Sequence, residues 1–297
     1  MSALFRRYWR LQLDRVVIDN TLDIDFKIEK TDKKEPNKAE IKVYNLNPDH
    51  RGELLRMSGT QIDKSKRKPI YVELDAGYEE DHGVIFSGDL RNLETRVEKT
   101  DVLTVVFGHD GGHKFKTSTI EKSFAKGTPL ATAIIACATA MGVGLGNVNE
   151  VSGTATIPGL GKTLPHGIVL AGPAQAQLDR LLKSSALDWS IQDNNLVVTE
   201  RGKPLNRSAI RLAPDTGLIG SPETQVETDV VPGKAAPPKN KHGIKCKALI
   251  QPGFYPKRKV VLDSESFKDA GFMISSVTFN GQSSGNDWYS EMILVAY

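Results

Sequence analysis

Alternation of apolar and polar residues in the first hundred positions constrains the fold most. Ile24, Phe26 and Ile28 are each separated by one charged residue, and Ile41 and Val43 repeat the pattern. A period of two places every second side chain on the same face of a β-strand. The pattern therefore predicts a β-rich first region in which each strand has one buried face.

Six segments of this region have the composition of strands, and turn-forming stretches such as KKEPN and EEDHG separate them. A further stretch, PDHRGELLRMS at 48–58, predicts a short helix that Asn47 or Asp49 would cap. The predicted strands are LQLDRVVI, LDIDFKIEK, AEIKVYNL, IYVELDAGY, GVIFSGDLRNLETRV and DVLTVVFG. Six strands broken by one helix favour a small barrel or a strongly curled sheet over residues 1–107.

Helical periodicity enters between residues 108 and 204. Thr128 followed by Pro129 is typical of a helix start, with Thr128 as the N-cap and Pro129 in the first turn, and Gly142 is typical of a helix end. A second helix is predicted in AQAQLDRLLKSSA, residues 174–186, because its leucines recur at spacings of three and four. The next segment, LDWSIQDNNLVVTERG at 187–202, predicts a hairpin that turns at Asp-Asn-Asn. These elements predict a mixed α/β middle domain.

The β pattern returns from residue 205 to residue 297. Ile244, Cys246 and Ala248 alternate with lysines, which predicts a strand with Cys246 on its apolar face. A polar hairpin loop is expected at NGQSSGND. The Pro- and Lys-rich stretch 226–243 is expected to be a mobile insertion between strands.

Charge and cysteine content do not indicate a nucleic-acid-binding protein, a disulfide-rich protein or a membrane protein. A formal net charge of +3 is too small to indicate binding to nucleic acid through its backbone charge. Cys137 and Cys246 are the only cysteines, so a disulfide framework is not expected. Synthesis in a reducing compartment is expected instead. The longest uncharged run, 128–149, is rich in Ala, Thr and Gly, and it predicts a buried helix and not a membrane span.

One stretch resembles the end of a phosphate-binding loop. IPGLGKTLPHG, residues 157–167, contains GLGKT, but the loop requires G-x-x-x-x-G-K-[ST] followed by a helix. Thr156 stands where the first glycine belongs, Pro158 removes an N–H donor, and Pro165 follows too soon for a helix. The spacing therefore predicts a surface loop rich in Gly and Pro.

Other short motifs also fail on their context. HDGGH at 109–113 has two histidines four apart, but its central glycines disfavour the helix that would bring both to one metal. GVGLG at 142–146 follows a helix, whereas a dinucleotide-binding glycine motif follows a strand. No G-x-S-x-G nucleophile elbow is predicted, because the match GQSSG at 281–285 lies in the predicted polar hairpin loop and not between a strand and a helix. H-E-x-x-H does not occur. We therefore predict no catalytic, cofactor-binding or metal-binding residue, and no small-molecule substrate.

Four segments follow one another in the second half of the chain. They are DWSIQDNNLVVTERG after the Leu-rich helix, TGLIGSPE at 216–223, ALIQPGFYPKRKVVLDS at 248–264 with a strand, Pro-Gly turn, strand pattern, and the closing hairpin GFMISSVTFNGQSSGNDWYSEM at 271–292. In this order the segments resemble those of the central baseplate hub proteins of bacteriophage tails. The resemblance covers most of the chain and is strongest from residue 174 to the C-terminus.

The resemblance implies an α+β, mainly β fold with two small β-barrel (tube-type) domains, 1–107 and 205–297, on either side of the middle domain 108–204. It also implies a structural protein of the virion and not an enzyme. Three such chains would form a ring that adapts a six-fold tail tube to a three-fold central spike. The lumen of that ring would let phage DNA pass during ejection. The same architecture occurs in the head of type VI secretion spike proteins.

The expected partners are therefore two further copies of the chain, the tail-tube protein, the central spike protein and other baseplate proteins, without a membrane. The expected location is the tail baseplate of the virion, after assembly in the cytoplasm of the bacterial host. An obligate ring subunit exposes apolar or aromatic surface when it is alone. The candidate interface residues are Phe5, Tyr8, Trp9, Phe254, Tyr255, Lys257, Arg258 and Lys259. The alternative role of the aromatic residues is local core packing or the plug of a barrel, and that of the basic residues is a loop end in solvent.

Two other functions are compatible with a β-rich chain of this size. An envelope-degrading tail enzyme would need paired carboxylates or a metal triad, and the sequence contains no clear example of either. A nucleic-acid-binding module of OB-like barrels would bind single strands in a strongly salt-dependent way. We keep both as alternatives to the baseplate hub.

Overall fold

The computed structural model describes residues 6–58, 69–111, 115–147, 161–229 and 239–297, and for residues 226–229 and 239–242 it describes the backbone alone. Strands predominate over helices in these ranges, so the prediction of a mainly β fold is confirmed. The helices are α1 (Pro48–Ser58), α2 (Leu130–Met141) and α3 (Ala174–Lys183). The helix predicted at 48–58 has the bounds that the sequence indicated.

Strands occur in the first region, in the middle region and in the last region of the chain. The first region contains β1 (Arg7–Leu13), β2 (Val16–Asp19), β3 (Ile24–Thr31), β4 (Lys38–Tyr44), β5 (Tyr71–Tyr78), β6 (Asp81–Glu98) and β7 (Asp101–His109). The middle region contains β8 (Thr119–Phe124), β9 (Gly144–Leu145), β10 (Ile168–Pro173), β11 (Leu187–Gln192) and β12 (Asn195–Glu200). The last region contains β13 (Ile210–Leu212), β14 (Leu218–Asp229), β15 (Lys239–Ala248), β16 (Lys259–Leu262), β17 (Ala270–Gln282) and β18 (Trp288–Val295).

Period-two burial explains why these segments are strands. Residues of β3 alternate between buried and partly exposed positions, as do those of β18. One prediction was wrong in detail, because the segment LQLDRVVI forms parts of two antiparallel strands and not one strand. Asp14 adopts a φ of 53° between them, which turns the chain so that β2 pairs back onto β1.

A single 13-stranded sheet joins the first and last regions of the chain. Its main path runs β14-β15-β18-β17-β3-β4-β7-β6-β5-β1-β2, and β16 and β13 branch from β17. The connection between the two regions is the antiparallel pair of β17 and β3, in which Phe279 lies opposite Ile28. One hydrophobic cluster extends over both regions and includes Trp9, Phe86 and Phe254. Strands more than two hundred residues apart in sequence thus share one core.

The middle region has its own hydrophobic cluster. Helices α2 and α3 pack on each other and on two small sheets, β8 with β10 and β9 with β12 and β11. Cys137, Leu178 and Trp189 are buried in this cluster. Gly142 ends α2 in the left-handed conformation, as predicted. The N-terminal assignment was wrong by one residue, since Pro129 is the N-cap and the Thr128 hydroxyl donates to the Ala125 carbonyl.

The path of the large sheet is open in the described residues, with β14 at one end and β2 at the other. Division into two separate tube-type barrels therefore stays a prediction, and so do the domain limits at 107/108 and 204/205. Within the predicted insertion 226–243, residues 226–229 belong to β14 and residues 239–243 to β15. Residues 230–238 lie outside the described residues. No helix in the described part of the chain is long and apolar enough to cross a membrane.

Candidate functional site

The hairpin of β11 and β12 brings the middle region into contact with the large sheet. Its two turn residues, Asp193 and Asn194, have φ values of 51° and 62°, the left-handed conformation that a tight type I′ turn requires. Asp and Asn tolerate this conformation better than other non-glycine residues. The sequence thus predicted this turn correctly, and the structure shows that its tip lies against β3 and β6.

Asp193 forms the first part of the contact. Both of its carboxylate oxygens lie 2.7 Å from Lys30 Nζ on β3, and the backbone N–H of Ser87 on β6 donates to Oδ1 at 3.0 Å. The Lys30 side chain is 3% exposed, whereas that of Asp193 is 31% exposed. A lysine buried to this extent requires a counter-charge, because an unpaired ammonium is costly to remove from water.

Asp110 forms the second part. The backbone N–H of Asn37 donates to its Oδ1 at 2.7 Å, and Asn37 Nδ2 and the backbone N–H of Asp193 donate to its Oδ2 at 2.7 and 3.0 Å. Burial raises the pKa of Asp110 to about 7, against the lowering effect of the hydrogen bonds from Asn37. The nearby carboxylate of Asp193 raises this pKa further, and Lys30 lowers it.

Two further side chains complete this junction. Gln192 Nε2 donates to the Thr31 carbonyl at 2.8 Å and its Oε1 accepts from Asn37 Nδ2 at 2.9 Å, while Asn194 Oδ1 accepts from the N–H of Gly111 at 2.8 Å. We refer to the whole set as the junction cluster. Its members are Lys30, Asn37, Asp110, Gln192, Asp193 and Asn194. The two cores are thus connected through polar contacts.

A cleft of about 630 Å³ opens between the β3–β4 loop and the middle region. Lys34, in the loop between β3 and β4, forms one wall, and α3 with the β11–β12 hairpin forms the other. The indole Nε1 of Trp189 donates to Asp179 at 2.8 Å, and Lys34 pairs with the same carboxylate. The cleft is lined by Lys34, Asp179, Arg180, Leu182, Lys183, Leu187, Asp188, Trp189 and Arg201.

The aromatic interface candidates differ in exposure. Trp9 and Phe254 are each 1% exposed and belong to the core of the large sheet. Their burial favours the core-packing alternative for these two residues. Tyr8 is partly exposed, and the centroid of its ring lies 3.8 Å from the centroid of the His82 ring. Phe5 lies outside the described residues. The interface assignment of this group stays a prediction and rests on its partly exposed members.

The remaining candidates lie in the loop before β16. Lys257 is buried and pairs with Asp32 at 2.9 Å, so its charge is used inside the chain. The guanidinium of Arg258 lies 5.3 Å from the centroid of the Tyr255 ring and also donates to the Tyr255 hydroxyl. Lys259 is partly exposed at the start of β16. Tyr255, Arg258 and Lys259 therefore stay available as a predicted contact surface.

The described residues include only parts of the short motifs HDGGH and IPGLGKTLPHG. His109 ends β7, while Gly112 and His113 lie outside the described residues. Residues 157–160 also lie outside them, and the exposed stretch 161–163 is not helical. Gly144 pairs with Asn195 in a two-residue parallel bridge after α2. Within the described residues, no group of three or more His, Cys, Asp or Glu side chains could hold a metal ion.

The junction cluster was missed by reasoning from the sequence. The turn at Asp-Asn-Asn was predicted from the sequence. Lys30 is only one of several charged residues in its strand, and Asp110 is only part of the HDGGH motif, so no role was predicted for either. A weak signal did exist, because DNN and HD both follow strongly apolar strands. Nothing in the sequence alone indicates that these two strand ends meet.

Comparison with known proteins provides the family. Residues 7–231 match the family model described as baseplate hub gp41. A search of curated protein sequences found no significant match.

Solved structures share the fold at low sequence identity. The 43 kDa tail protein of prophage MuSo2 from Shewanella oneidensis gives a TM-score of 0.60 at 11% identity, over 97% of this chain and 98% of that one. The tail protein from Neisseria meningitidis MC58 gives 0.62 at 10% identity, over 98% and 97%. The E. coli c3393 protein, a component of the type VI secretion system, gives 0.56 at 8% identity, over 97% and 76%. At these identities the likeness concerns the fold alone.

Proposed function

Because this chain belongs to the baseplate hub gp41 family, we propose that it forms a homotrimeric ring at the centre of a phage tail baseplate. The match to the family over residues 7–231 is the observation that carries the proposal. The chain would act as a structural adaptor between the tail tube and the central spike. The type VI component c3393, which is structurally similar to the T4 bacteriophage tail proteins gp27 and gp5, shares this fold.

The two β-rich halves support the adaptor role. One half comprises β1 to β7 and the other β13 to β18, and both contribute to the large sheet. If each half acts as one tube-type unit, three chains present six units on one face of a ring. That arrangement would match a six-fold tube on one side and a three-fold spike on the other.

The open sheet supports self-association. In the described residues β2 pairs only with β1, and β14 pairs only with β15. Edge strands carry backbone N–H and C=O groups that can pair with another chain, and soluble proteins usually cover or disrupt them. Contacts between neighbouring copies at these edges would cover them in the ring.

The ring would surround the channel through which DNA leaves the virion. A conduit must let DNA slide, so it should not hold the phosphate backbone tightly. A formal net charge of +3 over the chain is compatible with such weak contact. We further propose that the tail-tube protein, the spike protein and other baseplate proteins are the partners, and that assembly takes place in the host cytoplasm before the ring enters the virion.

The mass of the purified chain in solution tests this proposal. Light scattering after size exclusion, over a hundred-fold range of concentration, should give a trimer, or a monomer that becomes a trimer when spike or tube protein from the same tail is added. A chain that stays monomeric at every concentration and binds neither partner would contradict the proposal. Activity of the chain alone on purified cell wall, or tight salt-dependent binding of single-stranded DNA, would point to another function.

A further inference from the structure

The cleft between the β3–β4 loop and the middle region has an excess of positive charge. Lys34, Arg180, Lys183 and Arg201 are exposed or partly exposed around it, whereas the carboxylates are those of Asp179 and Asp188. Four cations against two anions leave two positive charges in excess.

The two carboxylates are already engaged within the chain. Asp179 accepts from the Trp189 indole and pairs with Lys34, and Asp188 lies 3.5 Å from Arg201 Nε. Arg180 Nη2 donates to the carbonyl of Val169 on β10 at 2.6 Å, which holds its guanidinium beside the cleft. The excess of charge is therefore carried by a helix face whose position is fixed.

The floor of the cleft offers an occupant little apolar surface. Leu182, Leu187 and Trp189 line it, but all three are almost completely buried in the core of the middle region. The groups that an occupant can reach are therefore mainly the charged side chains around the cleft, so the occupant would be recognised by its carboxylates.

From this geometry we propose that the cleft binds an acidic segment of a neighbouring baseplate protein. The inference rests on the proposed function, because that function provides the neighbouring protein. Carboxylates of the segment would pair with Arg180 and Lys183 on α3. Charge complementarity of this kind fixes the register of a contact and selects the partner.

A protein segment fits this cleft better than a nucleic acid does. Nucleic-acid grooves present a continuous basic track along the phosphate backbone, often with exposed aromatic faces for stacking. Here Asp179 and Asp188 interrupt the track, and Trp189 is buried with its indole N–H already bonded. A duplex or an extended single strand would place phosphates against these carboxylates.

The position of the cleft gives the contact a structural consequence. One wall belongs to the loop between β3 and β4 of the large sheet, and the other belongs to the middle region. A segment bound there contacts both parts at once. Because the direct connection between them is a polar cluster, an occupant that bridges them would hold their relative orientation in the assembled tail.

Photo-crosslinking in assembled tails tests the proposal. Ala176, exposed one turn before Arg180 on α3, is replaced by p-benzoyl-phenylalanine in the full chain, which leaves Arg180 and Lys183 in place. Tail particles are purified and irradiated, and the crosslinked peptides are identified by mass spectrometry. The expected product joins position 176 to an Asp- or Glu-rich peptide of another baseplate protein. A crosslink to DNA, to a neutral or basic peptide, or to this chain itself would overturn the proposal, as would the lack of any crosslink in particles that contain the chain.

Charge reversal provides a second, independent test. Arg180→Glu together with Lys183→Glu should lower the amount of chain in tail particles about ten-fold, because both contacts become repulsive. The matched control, Lys122→Glu together with Lys126→Glu, reverses two exposed lysines elsewhere in the middle region and should leave incorporation unchanged. Circular dichroism of both purified variants checks that they fold.

The two proposals fail in different ways. If the wild-type chain is absent from tails, the proposed function fails. If the wild-type chain is present and the Arg180→Glu, Lys183→Glu variant enters tails equally well, only the cleft assignment fails.

Discussion

The large sheet and the middle region are built in opposite ways. In the large sheet, β3 near the start of the chain pairs with β17 near its end, so the core closes only after most of the chain is present. The middle region comes from one continuous stretch, and its cluster extends from Phe115 to Val198. Local contacts form faster and at lower entropic cost than distant ones. The middle region should therefore fold early and independently, and the large sheet later.

The contact between them differs from both cores. Each core is apolar, whereas the junction cluster consists of a lysine, two carboxylates and three amides. A buried polar cluster contributes little net stability, but breaking it by removing one partner is costly. Polar contacts with strict geometry therefore orient the two parts, while the two apolar cores supply most of the stability.

The largest effect is expected from the core of the large sheet. Phe279 is fully buried on β17, so Phe279→Ala should lower the free energy of unfolding by about 3–5 kcal/mol. Hydrogen exchange should become faster in β3 and β17 and stay slow in α2 and α3, which belong to the other core. Equal loss of protection in both regions would show that they unfold as one unit.

The next effect concerns pH. The pKa of Asp110 is raised to about 7 in the folded chain from an ordinary value near 3.8, so the folded state binds this proton more tightly than the unfolded state. The resulting stability is fully present below about pH 4 and is lost as the pH rises through about 7, a change of at most about 4 kcal/mol. Urea unfolding at pH 4.5, 6 and 7.5 measures it.

Asp110→Asn provides the control for the pH effect. This variant should be less stable overall, because an amide cannot accept all three hydrogen bonds of the carboxylate. Its unfolding free energy should nevertheless lack the part of the pH dependence that Asp110 contributes. An unchanged slope between pH 4.5 and 7.5 would assign that dependence to other groups.

A smaller effect is expected at the ion pair of the junction cluster. Asp193→Asn keeps the turn geometry but removes the counter-charge of Lys30, and should cost about 1–3 kcal/mol, since Asp193 is partly exposed. Asp188→Asn, in the same hairpin, removes an exposed partner of Arg201 and should cost less than about 0.5 kcal/mol. Chemical denaturation compares the two. Equal losses would mean that the junction contributes no more than a surface pair.

The smallest effects are expected at two exposed valines, one in each region. Val97 is 73% exposed on β6 and Val169 is 61% exposed on β10. Val97→Thr and Val169→Thr should each change the free energy of unfolding by less than about 0.5 kcal/mol. If either variant folds normally but enters tail particles poorly, that valine lies in a contact between subunits.

Local patterns predicted local structure well in both regions. The period of two identified the strands, helix α1 had its predicted bounds, and the Asp-Asn turn was found because few residues accept its backbone angles. Pairing between distant strands was not predictable in this way. Alternation shows which face of β3 is buried, but it does not identify β17 as its neighbour.

The same limit explains why the residues of the candidate site could not be predicted from the sequence. Trp9 and Phe254 were proposed for an interface because they are aromatic and close to a terminus or a turn, yet the large sheet buries both. Lys30 and Asp110 become part of one polar cluster only because the hairpin turn meets the ends of β3 and β7. Such sites depend on tertiary contacts, and these contacts cannot be derived from the local patterns of a single sequence.

Imaging of intact tails by electron cryomicroscopy tests the central claim most directly. With this chain identified by a tag or by side-chain density, the account predicts three copies in a closed ring between the last tube ring and the central spike, with DNA passing through the lumen. Tails that lack the chain, or that contain it outside this junction or in a number other than three, would contradict the account.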